Sequence, residues 1–86
     1  MEPIKVLFQS MEDCQRFVMA IDNYPFNIDL QSGRQIIDGK SMLGIIGFGL
    51  HRELELKLHT DDNKAVEEIL DKIAFCIVGE NMDIAI

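Results

Sequence analysis

The sequence has no apolar run long enough to cross a membrane. A membrane-spanning helix needs roughly 20 consecutive apolar residues, whereas polar or charged residues interrupt every apolar stretch of this chain much earlier. The first residues, Met-Glu-Pro-Ile-Lys, also lack the basic and apolar regions of a signal peptide. We therefore expect a cytoplasmic protein with no membrane contact.

Basic residues are also few. The 86-residue chain has 8 Lys and Arg against 15 Asp and Glu, which gives a net charge of -7. Such a charge repels phosphate backbones and anionic lipids, so neither nucleic acid nor a membrane surface is an expected partner. A chain of this length forms one domain, residues 1–86, with a single core and no cleft between lobes. Any function is therefore expected on its surface.

Motifs of catalysis and of cofactor binding are missing. The sequence has no Ser-His-Asp spacing, no phosphate-binding G-x-x-x-x-G-K-[ST] motif and no cluster of metal ligands. Cys14 and Cys76 each lie among the apolar residues of a predicted helix, which is typical of reduced core thiols, and a disulfide is the alternative. Neither His51 nor His59 is near a predicted helix start, and we interpret both as surface histidines. We expect no enzyme, no cofactor and no metal.

Alternation of apolar and polar residues predicts four β-strands. The clearest is 53–59, where leucines alternate with polar and charged side chains without a fault. Residues 4–8 have the same period. Residues 26–31 and 35–38 flank a Ser32-Gly33 turn, which predicts a hairpin.

Two longer helices follow from apolar residues at helical spacing. The first covers residues 11–22, where Ser10 stands three residues before Asp13 in a capping-box-like arrangement. The second covers residues 62–78, with an apolar stripe opposite acidic side chains and Gly79 as its stop.

A short helix is predicted within the glycine-rich stretch 38–49, because its four glycines interrupt the apolar residues too often for a long helix. The Ser41 hydroxyl is placed to accept a hydrogen bond from an amide of the first turn. Gly49 is placed to end the helix in the left-handed C′ position.

The order of these elements, β-α-β-β-α-β-α, lacks a crossover long enough to favour a parallel sheet. It predicts an α+β fold, a two-layer open-faced β-sandwich with a mostly antiparallel four-stranded sheet and the helices on one face. Residues 81–86 form a C-terminal tail with alternating apolar and polar residues. We interpret the tail as an added edge strand or as the contact of a homodimer.

Three stretches of the sequence resemble HPr, the histidine phosphocarrier of the bacterial sugar phosphotransferase system. They are Phe17-Val18, Asp29-Leu30-Gln31-Ser32-Gly33-Arg34, and above all Gly39-Lys40-Ser41-Met42-Leu43-Gly44-Ile45-Ile46 with Phe48-Gly49. The resemblance extends over about residues 17–77. It implies the strand order 1-4-2-3, which the periodicity alone does not supply.

The histidine that carries the phosphoryl group in that family is missing here. The family uses a Gly-x-His-x-Arg-Pro stretch at the start of the first helix, where the arginine and the helix-end amides stabilise the phosphoryl charge. Alignment without a gap from Phe17 places Ser10 at the histidine position, followed by Met11, Glu12 and Asp13. The two carboxylates would repel a phosphoryl group. The resemblance thus implies a protein without the phosphocarrier site.

A second feature of the family is present. In HPr proteins of low-GC Gram-positive bacteria, a dedicated kinase phosphorylates the serine of Lys-Ser-x-x-Gly as a regulatory mark, and Ser41 occupies that position. The alternative is that Ser41 serves only as a helix cap.

The resemblance also implies a docking surface around this serine. Met42, Leu43 and Ile46, with Lys40 beside them, match positions that the family uses to dock enzyme I and transcriptional partners. Ile45 matches a core position, as does Phe48.

These features predict a non-catalytic, HPr-like protein of the bacterial cytoplasm that acts by protein contacts in phosphotransferase regulation. Its expected partners are HPr kinase, a transcriptional protein or another phosphotransferase-system protein. Two alternatives stay open: a working phosphocarrier with an atypical site, and a small regulatory domain that binds a metabolite on the open sheet face.

Overall fold

The computed structural model describes residues 3–78 and has the predicted order of elements. The strands are β1 (Ile4–Leu7), β2 (Ile28–Ser32), β3 (Gln35–Asp38) and β4 (Glu53–Leu58), and the helices are α1 (Met11–Ile21), α2 (Met42–Phe48) and α3 (Asn63–Lys72). None of the helices within the described residues is long and apolar enough to cross a membrane. Gly79 and the predicted tail, residues 81–86, lie outside the described part of the chain.

The four strands form one antiparallel sheet in the order β1-β4-β2-β3. In its register, Leu56 of β4 lies opposite Ile4 on one side and Leu30 on the other. Apolar residues therefore share one face of the sheet, and the alternate residues of the strands share the other, open face. The α+β fold class, the antiparallel sheet and the strand order 1-4-2-3 are confirmed.

The core lies between the apolar sheet face and the helices. The Phe8 and Phe17 rings meet edge to face, with their centroids 5.1 Å apart. The other buried core residues come from every strand except β3, from all three helices and from the segment after α3; they are Val6, Ile28, Leu30, Leu54, Leu56, Cys14, Ile21, Ile45, Ile69, Ile73 and Cys76.

The last helix is shorter than its sequence predicts. Instead of continuing over residues 62–78, α3 ends at Lys72, and Ala74–Cys76 form a turn of 3₁₀ helix. Ile77 then pairs with Val6 of β1 in an antiparallel bridge. Because the edge of β1 offers hydrogen-bonding groups to the backbone, the chain leaves the helix and joins the sheet.

The hairpin is displaced from its predicted position. β2 begins at Ile28 and not at residue 26, and its turn consists of Gly33 and Arg34, since Ser32 still pairs with Gln35. Gly33 has a φ of 60°, a conformation that glycine adopts without steric cost. β1, α1 and β4 each end one residue earlier than predicted.

Gly39 occupies a position between β3 and α2 where a side chain does not fit. A Cβ atom there would lie 2.9 Å from the carbonyl oxygen of Ile28 and 3.2 Å from its Cγ2. We expect Gly39→Ala to lower the free energy of unfolding by about 1–3 kcal/mol, because main-chain atoms must move. As a control, Gly47→Ala in α2 should raise it by about 0.5–1 kcal/mol, since alanine favours a helix and a Cβ at Gly47 meets no atom within 4 Å.

Urea denaturation of the two variants measures both effects. Equal stability of Gly39→Ala and the wild type would contradict the close approach of Gly39 to Ile28.

Cys14 and Cys76 are free, buried thiols. Burial raises the pKa of Cys76 from 9.0 to about 12, and burial, followed by the charge of Asp13, raises the pKa of Cys14. The stability linked to Cys76 is therefore fully present below pH 9 and lost as the pH rises toward 12. At pH 8 we expect iodoacetamide to spare both thiols in the native protein and to modify both after unfolding in urea. Rapid modification of the folded protein would contradict the burial.

Candidate functional site

Ser41 caps the short helix, as its sequence predicts. Its backbone is extended, and its Oγ accepts a hydrogen bond from the Gly44 N–H at 3.1 Å. A Cβ at Gly44 would lie 3.2 Å from that same Oγ, so the glycine leaves room for the hydroxyl. This contact gives a structural reason for a Ser-x-x-Gly spacing at the start of the helix.

Gly49 ends α2, and its N–H donates to the carbonyl oxygens of Ile45 and Ile46. The prediction of a left-handed helical conformation is wrong, because Gly49 has a φ of 99° and a ψ of 148°. This is an extended conformation with positive φ that is essentially restricted to glycine. The chain therefore turns away from the helix axis directly after Phe48.

The apolar side chains of α2 divide between the core and the solvent. Ile45 is 0% exposed, whereas Leu43 is 83% exposed. Met42 and Ile46 are half-buried. On a helix, residues three and four positions apart are neighbours, so Ile46 lies beside both Met42 and Leu43. We call these three residues the α2 surface. Phe48 packs against the core, as the resemblance implies.

Lys40 is tied to the fold by its ammonium group. Its Nζ donates hydrogen bonds to the backbone carbonyl oxygens of Tyr24 and Phe26. The backbone N–H of Lys40 donates a hydrogen bond to the Asp38 Oδ1 at 2.9 Å. The lysine thus holds the loop before β2 against the start of α2. The sequence places Lys40 next to the α2 surface but gives no sign of this internal contact.

Ser10, which the resemblance aligns with the phosphocarrier histidine, caps α1. Its Oγ accepts a hydrogen bond from the Asp13 N–H at 3.1 Å, and the Asp13 Oδ2 accepts one from the Gln9 N–H at 3.0 Å. The capping-box-like arrangement is confirmed, although the carboxylate binds the amide one residue before the cap. Both Glu12 and Asp13 lie in the first turn. Carboxylates therefore stand at the helix end where a phosphocarrier needs cationic support.

The two histidines lie in different parts of the structure, His51 beside the loop before α1 and His59 beside β2. The His51 N–H donates to the carbonyl oxygen of Phe8 at 2.8 Å, so its backbone lies beside the loop that leads into α1. The sequence does not indicate this proximity, because the contact joins two loops that are far apart along the chain. His59 follows β4, and its Nε2 lies 2.9 Å from the Asp29 Oδ2.

The open sheet face carries a cavity of about 260 Å³ at the end of the sheet near the hairpin turn. Its lining is polar and includes Lys5, Glu53 and Glu55. The Lys5 Nζ lies 3.9 Å from the Glu53 Oε1. Within residues 3–78, no three His, Cys, Asp or Glu side chains are grouped so that they could hold a metal ion. The charged and polar lining of this cavity suits a small polar metabolite better than an apolar one.

No protein-family model matches the chain, and it matches none of the curated proteins. The resemblance to HPr therefore rests on three short stretches of sequence, within residues 17–18, 29–34 and 39–49. A strand order describes a fold, and a fold by itself does not determine a function.

Proposed function

We propose that this chain is an HPr-like regulatory domain of the bacterial cytoplasm, which acts by protein contacts on the α2 surface and does not carry a phosphoryl group. The observation that supports this most is the division of α2, in which Ile45 anchors the helix while Leu43 is 83% exposed. Leu43 adjoins the half-buried Ile46 and Met42, of which Met42 also packs against the core, and the three form an apolar patch. A contiguous exposed apolar patch is a common mark of a protein–protein contact site.

Ser41 is the proposed regulatory residue of this surface. A phosphate on its Oγ would stand where the first amides of α2 favour negative charge, so the fold should stay intact. Its doubly charged group would adjoin the α2 surface and would repel an acidic partner or attract a basic one. Because Lys40 donates to two backbone carbonyls, the amides of α2 would provide the main stabilisation of the phosphate. The mark would thus select partners without a large conformational change.

Phosphorylation by an HPr kinase from a low-GC Gram-positive bacterium tests the proposal. With ATP and this kinase, we expect one phosphate per chain on the wild-type protein and none on Ser41→Ala. Ser41→Ala should also lower the free energy of unfolding by about 1 kcal/mol, because the helix loses its cap.

Ser10→Ala is the matched control, since Ser10 also accepts one amide hydrogen bond at 3.1 Å as a helix cap. Ser10→Ala should lower the free energy of unfolding by a similar amount and leave phosphorylation by the kinase unchanged. Equal labelling of the wild type and Ser41→Ala would overturn the assignment. Absence of labelling, with a stability loss in Ser41→Ala, would show that the cap is the whole role of this serine.

A further inference from the structure

β3 forms one edge of the sheet and pairs only with β2. The opposite edge, on β1, is partly occupied by the chain itself, because Ile77 bridges Val6 and the Val78 N–H donates to the Lys5 carbonyl oxygen at 2.8 Å. No such segment within residues 3–78 covers β3, whose Ile36 is 58% exposed. An uncovered strand edge can pair with another strand.

The backbone N–H and C=O groups of Ile36 point away from β2, toward the free edge of the sheet. Ser32 and Gln35 flank the two-residue turn and form a hydrogen-bonded pair, as the first and last residues of such a turn do. In an antiparallel ladder, hydrogen-bonded pairs alternate with non-hydrogen-bonded ones. The next pair, Gln31 with Ile36, is therefore non-hydrogen-bonded. The N–H and C=O groups of Ile36 face outward, and no turn, loop or cap hydrogen bond of residues 3–78 uses them.

The charges around Ile36 are unpaired within the described chain. Neither Arg34 nor Asp38 belongs to an ion pair of residues 3–78. Moreover, Asp38 lies directly opposite Asp29 of β2. Like charges opposite each other on neighbouring strands are unfavourable. The Asp29 carboxylate has a partner in His59, whose Nε2 lies 2.9 Å from its Oδ2, whereas Asp38 has no cationic partner within residues 3–78. A cation near Asp38 would relieve the repulsion that remains.

We propose that β3 pairs antiparallel with β3 of a second copy of this chain, with the two Ile36 residues opposite each other. The outward N–H and C=O groups of each Ile36 would then bind those of the other. In this register, Arg34 of one copy falls opposite Asp38 of the other, and the two-fold symmetry produces this pair twice. The sequence Arg-Gln-Ile-Ile-Asp is thus self-complementary in charge, which favours a second copy over an unrelated strand.

The pairing also covers exposed apolar surface. Ile36 and Asp38 share the open face, because they lie opposite Gln31 and Asp29 of β2. The two Ile36 side chains would shield each other there, with an Arg34–Asp38 pair on either side. The eight strands would form one continuous sheet, and the α2 surface of each copy would remain outside the strand pairing. A contact this short predicts a weak dimer.

Sedimentation equilibrium from micromolar to millimolar protein tests this inference. We expect a concentration-dependent monomer–dimer equilibrium for the wild type. Arg34→Asp and Asp38→Arg should each raise the dimer Kd about tenfold, because both ion pairs become repulsive. An equimolar mixture of the two variants should restore association, because in a mixed dimer both pairs again join an aspartate of one copy to an arginine of the other.

A second comparison does not depend on Asp38, whose carboxylate also accepts the Lys40 N–H. Ile36→Arg should raise the Kd by at least about tenfold, whereas Met19→Arg, which introduces the same side chain at a residue of α1 that is 68% exposed, should leave it unchanged. A monomer at every concentration, or a dimer that Ile36→Arg does not weaken, would overturn the inference. Self-association is measured without kinase or ATP, so its failure is distinct from failure of the proposed function.

Discussion

Replacing Ile45 with alanine is expected to lower the free energy of unfolding by about 2–5 kcal/mol. Ile45 is 0% exposed and belongs to the core cluster. α2 has only seven residues, and an isolated helix of that length is unstable in water, because tertiary packing supplies most of the stability of a short helix. Loss of the Ile45 side chain leaves a cavity and removes the main anchor of α2.

Leu43→Ala is the matched control, since it truncates an apolar side chain of the same helix that is 83% exposed. We expect it to change the free energy of unfolding by less than about 0.5 kcal/mol. Urea denaturation monitored by circular dichroism measures both variants. Similar costs for Ile45→Ala and Leu43→Ala would contradict the division of α2 into a core side and a free side.

This division is the basis of the proposed function. If Ile45 stabilises α2 and Leu43 does not, a substitution of Leu43 that weakens partner binding acts on the binding itself and not on the stability of the fold. The exposed position of Leu43 is then available to a partner without cost to the fold. Variants at Leu43 thus provide a direct way to separate docking from stability.

The second large effect concerns phosphoryl transfer. Ser10 is the residue that the resemblance to HPr aligns with the phosphocarrier histidine, and its hydroxyl accepts a hydrogen bond from the Asp13 N–H at 3.1 Å. Asp13 and Glu12 provide negative charge in the first turn of α1, where a transferred phosphoryl group would need cations or free amides. We therefore expect the transfer to fail completely, and not merely to slow.

Much of the fold can be predicted from the sequence, because local patterns determine it. The alternation of Leu54, Leu56 and Leu58 with polar residues permits only one face of β4 to be buried. Ser10 and Ser41 mark the starts of α1 and α2, since each hydroxyl can reach an amide three residues ahead.

The errors arise where contacts between distant residues override the local pattern. The apolar residues after Lys72 have helical spacing, yet Ile77 joins the edge of β1. Residue 26 continues an alternating pattern, but the carbonyl oxygen of Phe26 binds the Lys40 ammonium. Neither contact can be predicted from the spacing of neighbouring residues, because each joins segments that are far apart in sequence.

The candidate site shows the same limit. The Ser41 cap and the burial of Ile45 follow from spacing on one short helix. The internal role of Lys40 and the position of His51 beside Phe8 depend on how two loops pack. The unpaired charges of Arg34 and Asp38 are visible only once the strand order shows that β3 is an edge.

The central claim, that this chain acts by protein contacts without carrying a phosphoryl group, is tested most directly by incubation with enzyme I and phosphoenolpyruvate. An authentic HPr serves as the positive control, and the acid-labile phosphate on each protein is measured. We expect full labelling of the control and none of this protein. Stoichiometric phosphohistidine at His51 or His59 would contradict the claim and would identify a working phosphocarrier with an atypical site.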